Sequence, residues 1–185
     1  MSKLLLLLLA LIPTSAEIAQ TAMCIKPANI THPNTAQEKC LAVTIYGEAR
    51  SEPMQGQIAV AYTILNRAAK HRTLCDVALA PMQYSVFNNN PKLRAIAVSL
   101  HLIPSDANII NQRSWAQAVQ VAQMVARKAV QDPTNGATHY VADRLMHTKH
   151  YHYPKWTKQY TLVKVIENHK FYKMHKSVDK QLAAL

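Results

Sequence analysis

Glycine is nearly missing: there are 3 in a chain of 185 residues. That scarcity disfavours an all-β fold, whose many tight turns need residues able to take positive φ. Acidic residues are also few, 10 against 21 lysines and arginines, so the formal net charge is +11 and an anionic partner or surface is expected. Charged residues make up only 17% and hydrophobic residues 49%, the balance of a globular chain rather than a disordered one. The sequence contains no Gly-x-Ser-x-Gly elbow, P-loop, dinucleotide-binding glycine pattern or Cys-x-x-Cys pair. The one long apolar run, Leu4–Ile12, is too short for a stable bilayer span.

That run follows Lys3, is broken by Pro13 and is succeeded by small Thr14-Ser15-Ala16, the layout of a secretory signal peptide cleaved near Ala16. An uncleaved anchor is the lesser alternative. No later segment approaches transmembrane length, so the mature chain is expected to be soluble in the periplasm or outside the cell, with no stable membrane span. Residues 17–35 read as an irregular arm, 36–176 as one domain and 177–185 as a tail. In an oxidising compartment three cysteines suggest one disulfide and one thiol left over. A Cys40–Cys75 bridge would clamp the ends of the most ordered-looking segment, and such loops contribute about 3 kcal/mol; Cys24 lies in the arm.

Helical periodicity begins near Ala36, with Leu41, Ile45 and Glu48 on one stripe, and ends near Ser51 because Pro53 disfavours helix at Glu52. Ser51 is placed to cap a second helix from Pro53 to about Lys70, with Ile58, Ala61, Tyr62, Leu65 and Ala69 as its apolar face. The pair forms a hairpin with Glu48 near the bend. Ala80–Pro91 reads as turns. A third helix, about 114–130, uses Ala118, Val121, Ala122, Val125 and Ala129 and stops at "DPTNG". Ala137–Ala142 and Tyr160–Ile166 read as strands. The fold class is therefore α+β, helices dominant, with a small hairpin or sheet.

Among so few carboxylates, Glu48 falls on an apolar stripe. Burial disfavours its charged form, so it can hold the proton that a general acid needs for glycosidic cleavage. Pattern alone favours a structural carboxylate bonded to a helix N-terminus or paired with Arg50 or Arg67, and spacing does not settle the matter. Glu52 could be the second carboxylate of a hydrolysing glycosidase, but a Glu opening a helix suits the helix dipole, and that reading is preferred. Glu167 reads as a solvated loop residue. His147, His150 and His152 cluster without the spacing of a zinc site, and a basic, aromatic groove for an anionic or sugar-containing polymer explains that segment as well as a metal. No metal or other cofactor is called for.

Several blocks, in order, resemble the SleB-like cell-wall hydrolases, the family of spore-cortex-lytic enzymes and related phage enzymes. They are "CLAVTIYGEAR" (Cys40–Arg50), "GQIAVAYTILNRA" (Gly56–Ala68), "LCDV" (Leu74–Val77), "QYS" (Gln83–Ser85), "GATHYV" (Gly136–Val141), "PKW" (Pro154–Trp156) and "HKFY" (His169–Tyr172). The resemblance implies a lysozyme-like, mainly helical catalytic core acting on peptidoglycan glycan strands. It implies that Glu48 is the general acid of a lytic transglycosylase, and that the same carboxylate then acts as base, so that no second carboxylate is needed. It carries Gln83, Tyr84, Ser85, His139, Tyr140, Trp156, His169 and Tyr172 as candidates for binding substrate; for Phe171 core packing is favoured. It also supports pairing Cys40 with Cys75. One departure is Glu167, where the family usually has glycine, which implies a differently shaped loop. The rival readings are a zinc-dependent N-acetylmuramoyl-L-alanine amidase, and a non-enzymatic cationic binder of envelope or nucleic acid. The latter gains nothing from a carboxylate on an apolar face, so no specific nucleic-acid partner is expected.

Overall fold

The computed structural model describes residues 33–69, 72–99, 111–147 and 152–174. The expected signal peptide, most of the expected arm, Cys24, His150 and the C-terminal tail lie outside the described residues. Helix α1 (Ala36–Ala49) starts at Thr35, whose hydroxyl accepts from the Glu38 backbone N–H at 3.1 Å. Leu41 through Tyr46 are consecutively buried, so α1 is a central helix covered on every face rather than the one-stripe helix its spacing suggests. Only toward its end does it emerge, and there Glu48 is half-buried. Buried Glu38 is held by Arg127 at 3.1 Å and by the Asn34 N–H at 2.8 Å.

Helix α2 (Met54–Ala68) follows a tight bend in which the Glu52 N–H donates to Ala49 O at 2.9 Å. Its N-cap is Pro53 with no side-chain cap, so the expected role for Ser51 is not realised. Its buried face is broader than the expected stripe and includes Gln57, Val60, Thr63 and Ile64. Three short helices follow, α3 (Leu74–Ala78), α4 (Ser85–Asn89) and α5 (Pro91–Val98); α4 lies within Ala80–Pro91, the stretch whose turn residues suggest a loop. Caps open two of them: Thr73 with Asp76 forms a reciprocal box on α3, and Asn90 caps α5 just before Pro91, whereas α4 starts without a side-chain cap. The Cys40–Cys75 disulfide ties α1 to α3.

Helix α6 (Gln112–Ala126) packs on α1, with Tyr46 edge-on to Trp115 at 6.2 Å. It stops before the expected end because Lys128 takes φ 53°, a left-handed turn that leaves Ala129 exposed. The following loop is organised by Asp132, which accepts from Thr134 N–H at 2.7 Å, Gly136 N–H at 2.9 Å and Asn66 Nδ2 at 2.9 Å. Burial opposes the Asp132 charge, but these bonds outweigh it and leave its pKa lowered.

The sheet is antiparallel in the order β1 (His139–Ala142), β3 (His169–Met174), β2 (Tyr160–Ile166). The central strand, β3, is an element that the periodicity of the sequence does not reveal. A short helix α7 (Asp143–Met146) and a 3₁₀ turn (Lys155–Lys158) lie between β1 and β2. Tyr140 sits opposite Phe171 and His139 opposite Tyr172, so alternation sends the first pair inward and gathers the second pair on the other face. Phe171, Ile166 and Ala137 join Ala49, Ala59 and Val60 in a second, smaller core that docks the sheet against the α1–α2 bend.

The β2–β3 turn holds Glu167 at φ 49°. The departure from glycine therefore keeps a backbone conformation that favours glycine. A left-handed non-glycine residue costs about 1–2 kcal/mol, part of which glycine's greater unfolded-state entropy cancels. Glu167→Gly is expected to raise the melting temperature by about 2–4 °C, read by calorimetry.

Candidate active site

The α1–α2 bend, helix α4, strand β1 and the 3₁₀ turn enclose a cleft of about 490 Å³. Glu48 enters it from the last turn of α1. Its Oε1 accepts from Ser85 Oγ at 3.0 Å and from the Val86 backbone N–H at 2.8 Å; its Oε2 accepts from the Tyr140 hydroxyl at 3.2 Å. These donors come from α4 and β1, elements far from Glu48 in sequence, and together they fix where the carboxylate points. The Tyr140 hydroxyl keeps its proton, because burial first and the Glu48 charge second push its pKa well above the ordinary value. Gly47 makes the close approach of α4 possible: a Cβ there would lie 2.0 Å from Val86 Cγ2.

The rest of the cleft is polar and aromatic. Arg67 donates to Gln83 Oε1, and buried Tyr84 lies behind them with its hydroxyl pKa raised by burial. His139, Trp156 and Tyr160 form an aromatic wall, with His139 4.8 Å from Tyr160 and 5.2 Å from Trp156 between ring centroids. Burial and then the Arg67 charge lower the His139 pKa to about 4. The imidazole is therefore neutral at pH 7 and presents a hydrogen-bonding edge among rings. Because its folded-state pKa lies below the ordinary 6.5, the unfolded chain takes up that proton first as pH falls. The corresponding stability is present above pH 6.5 and is lost on going down toward pH 4. His139→Gln is expected to flatten the fall of the urea midpoint across that window.

Of the residues suggested by the sequence, Glu48, Gln83, Tyr84, Ser85, His139, Tyr140 and Trp156 meet at this one cleft. His169 and Tyr172 do not line it: His169 is buried beneath Tyr140 at 5.2 Å between rings, and Tyr172 backs Trp156 at 5.4 Å. Phe171 is fully buried, as packing implies. Glu52 does not simply face a helix dipole. Its side chain is inward, accepting from Asn168 Nδ2 at 3.1 Å with His169 Nδ1 at 3.8 Å. Thr63, Arg67, Asn88, Thr138 and Tyr160 also line the cleft and were not singled out from the sequence as binding groups. For Arg67 a signal was present, as the lone cation of the apolar block "GQIAVAYTILNRA". The Val86 N–H had none, since backbone donors leave no mark in a sequence.

The histidine segment is arranged differently. His147 lies 3.6 Å from Asp143, which also accepts from Lys170 at 2.9 Å and from the Tyr153 hydroxyl. Among the described residues no group of three or more His, Cys, Asp or Glu side chains is placed to hold a metal ion, and no helix is long and apolar enough to cross a membrane.

Comparison with solved structures agrees with this architecture. The catalytic domain of the germination-specific lytic transglycosylase SleB from Bacillus anthracis is 26% identical, with a TM-score of 0.53, and the match covers 76% of this chain and 99% of that one. The catalytic domain of the Bacillus cereus SleB protein is 24% identical, with a TM-score of 0.50, over 79% of this chain and 98% of that one. The fold is therefore that of the SleB catalytic domains: mostly helical, lysozyme-like, with a small sheet. No curated protein matches. Residues 51–172 match the Cell Wall Hydrolase family, a segment that begins just beyond Glu48 and contains every other residue of the cleft. The match spans well over half the chain, which belongs to the cell-wall hydrolase family.

Proposed function

We propose that this enzyme is exported and cleaves peptidoglycan between N-acetylmuramic acid and N-acetylglucosamine as a lytic transglycosylase, with Glu48 as its acid and then its base. The observation that carries this reading is that, among the described residues, Glu48 is the one carboxylate lining the cleft. Ordinary glycoside hydrolysis needs two, one of them to activate water or to attack the sugar. Glu52, the nearest alternative in sequence, is engaged with Asn168 and His169. The similar Bacillus anthracis protein is a lytic transglycosylase, which supports the same direction.

The steps follow from one carboxyl group. In this reading Glu48 is the proton donor of the first step. It gives that proton to the glycosidic oxygen as the bond to muramic acid C1 breaks, releasing N-acetylglucosamine with a free hydroxyl. Ser85, Val86 and Tyr140 then hold the resulting carboxylate, ready to accept a proton. The 6-hydroxyl of the same muramic acid attacks C1 and gives its proton to Glu48, which closes the 1,6-anhydro ring and restores the acid. His139, Trp156 and Tyr160 offer faces for sugar stacking, while Gln83 and Arg67 offer groups for hydroxyls and N-acetyl carbonyls.

The test is mass spectrometry of the soluble products from purified peptidoglycan. Anhydro-muramic ends are the expected result. Reducing-end sugars would mean that water is the acceptor, and released stem peptides with intact glycan would mean amidase chemistry; either would overturn the reading.

A further inference from the structure

A second concavity, about 570 Å³, continues from the cleft and shares Arg67, Thr138 and His139 with it. Its walls carry three cations, Arg67, Arg72 and Lys173, and no acid. Among the described residues none of the three is within ion-pair distance of a carboxylate. Two acids are near: Asp132, whose oxygens accept from Thr134, Gly136 and Asn66, and Asp76, which feels the Arg72 charge but whose carboxylate is held by the Thr73 N–H. The Lys173 ammonium lies over the bare backbone of Gly136, where a Cβ would come within 3.1 Å of Nζ. Arg72 and Lys173 are exposed and Arg67 is half-buried. Three like charges around one hollow repel one another and set up a positive potential that an anionic ligand relieves.

We propose that this groove binds the carboxylates of the stem peptide, making peptide-bearing muramic acid the preferred substrate. The inference rests on reading the Glu48 cleft as the glycan site. In the intact polymer the lactyl carboxyl of muramic acid is tied up as the peptide amide, so the sugars themselves are uncharged and give three cations nothing to neutralise. The peptide branches from the lactyl group of muramic acid, the sugar that must sit beside Glu48. Its free carboxylates are the negative charges nearest the scissile bond, and the adjoining groove is where the cations are. Arg67, shared by both hollows, stands where strand and branch diverge.

The test compares the wild type with an Arg72→Gln, Lys173→Gln double variant on glycan strands with stem peptides intact, or enzymatically removed and the freed lactyl carboxyls amidated. Both residues are exposed, so the variant is expected to fold. The wild type should favour peptide-bearing strands by about ten-fold in kcat/KM, the scale of two part-exposed charge-assisted contacts. In the variant that preference should fall to about one, through KM. A wild type without preference, or a variant weakened equally on both substrates, would overturn the proposal. Should the wild type cleave neither glycan, the glycan-cleavage reading fails, and the groove is judged by calorimetric binding of a free stem tetrapeptide. Affinity about ten-fold weaker in the double variant supports the groove; equal affinity refutes it.

Discussion

Glu48→Gln is expected to give a folded protein whose glycan-cleaving kcat is lower by about 10³-fold or more. Glutamine keeps the length of the side chain and an oxygen for Ser85 Oγ and the Val86 N–H, while the Tyr140 hydroxyl can turn to accept from the new amide. Stability should therefore move by less than about 1 kcal/mol, as expected when hydrogen bonds are exchanged rather than orphaned. What the variant lacks is a transferable proton, and among the described residues no other carboxylate lines the cleft to supply one. Steady-state release of muropeptides measures the first quantity and a urea titration the second. Retention of activity within ten-fold, in a protein of unchanged midpoint, would remove Glu48 from the mechanism.

Gly47→Ala should damage the same site without touching its chemistry. The added methyl would lie 2.0 Å from Val86 Cγ2 and 2.6 Å from Val86 Cβ, so helix α4 has to move away from α1. Overpacking of this kind destabilises by about 1–3 kcal/mol. The move also draws the Val86 N–H and Ser85 Oγ off Glu48, and a misplacement of about 1 Å at a reacting group costs about 10²-fold in rate. The expected result is a lower urea midpoint together with a drop in kcat of that order. An alanine variant with normal turnover would mean that Ser85 and Val86 do not set the position of the carboxylate.

The sequence by itself carried the fold class and the family likeness, and it put Glu48 forward as the candidate acid. Scarce glycine and long apolar periodicities mark a helical chain, and the ordered blocks from Cys40 to Tyr172 carry the family likeness and the disulfide partners. Local rules went astray where a neighbour decided the outcome. The segment Ala80–Pro91, read as turns, holds the short helix α4, and α6 ended at Lys128, which took the left-handed turn usually left to glycine. Helix α1 showed a stripe to sequence reading, yet it is buried all round, because α6, α3 and α5 cover it from elsewhere in the chain.

The site itself was legible as residue types and not as an arrangement. Glu48, Ser85 and Tyr140 are separated by long stretches of sequence, and only the docking of α4 and β1 on the α1–α2 bend makes them one hydrogen-bonded group. The side chain of Glu52 turned away for the same kind of reason, since the β2–β3 turn offered it Asn168 and His169. His169 and Tyr172 belong to matched blocks but support the wall from behind, a distinction set by strand alternation and by which face meets the helices. Periodicity records which side chains avoid water; which of them face one another depends on the packing of distant elements, and that only the tertiary structure decided.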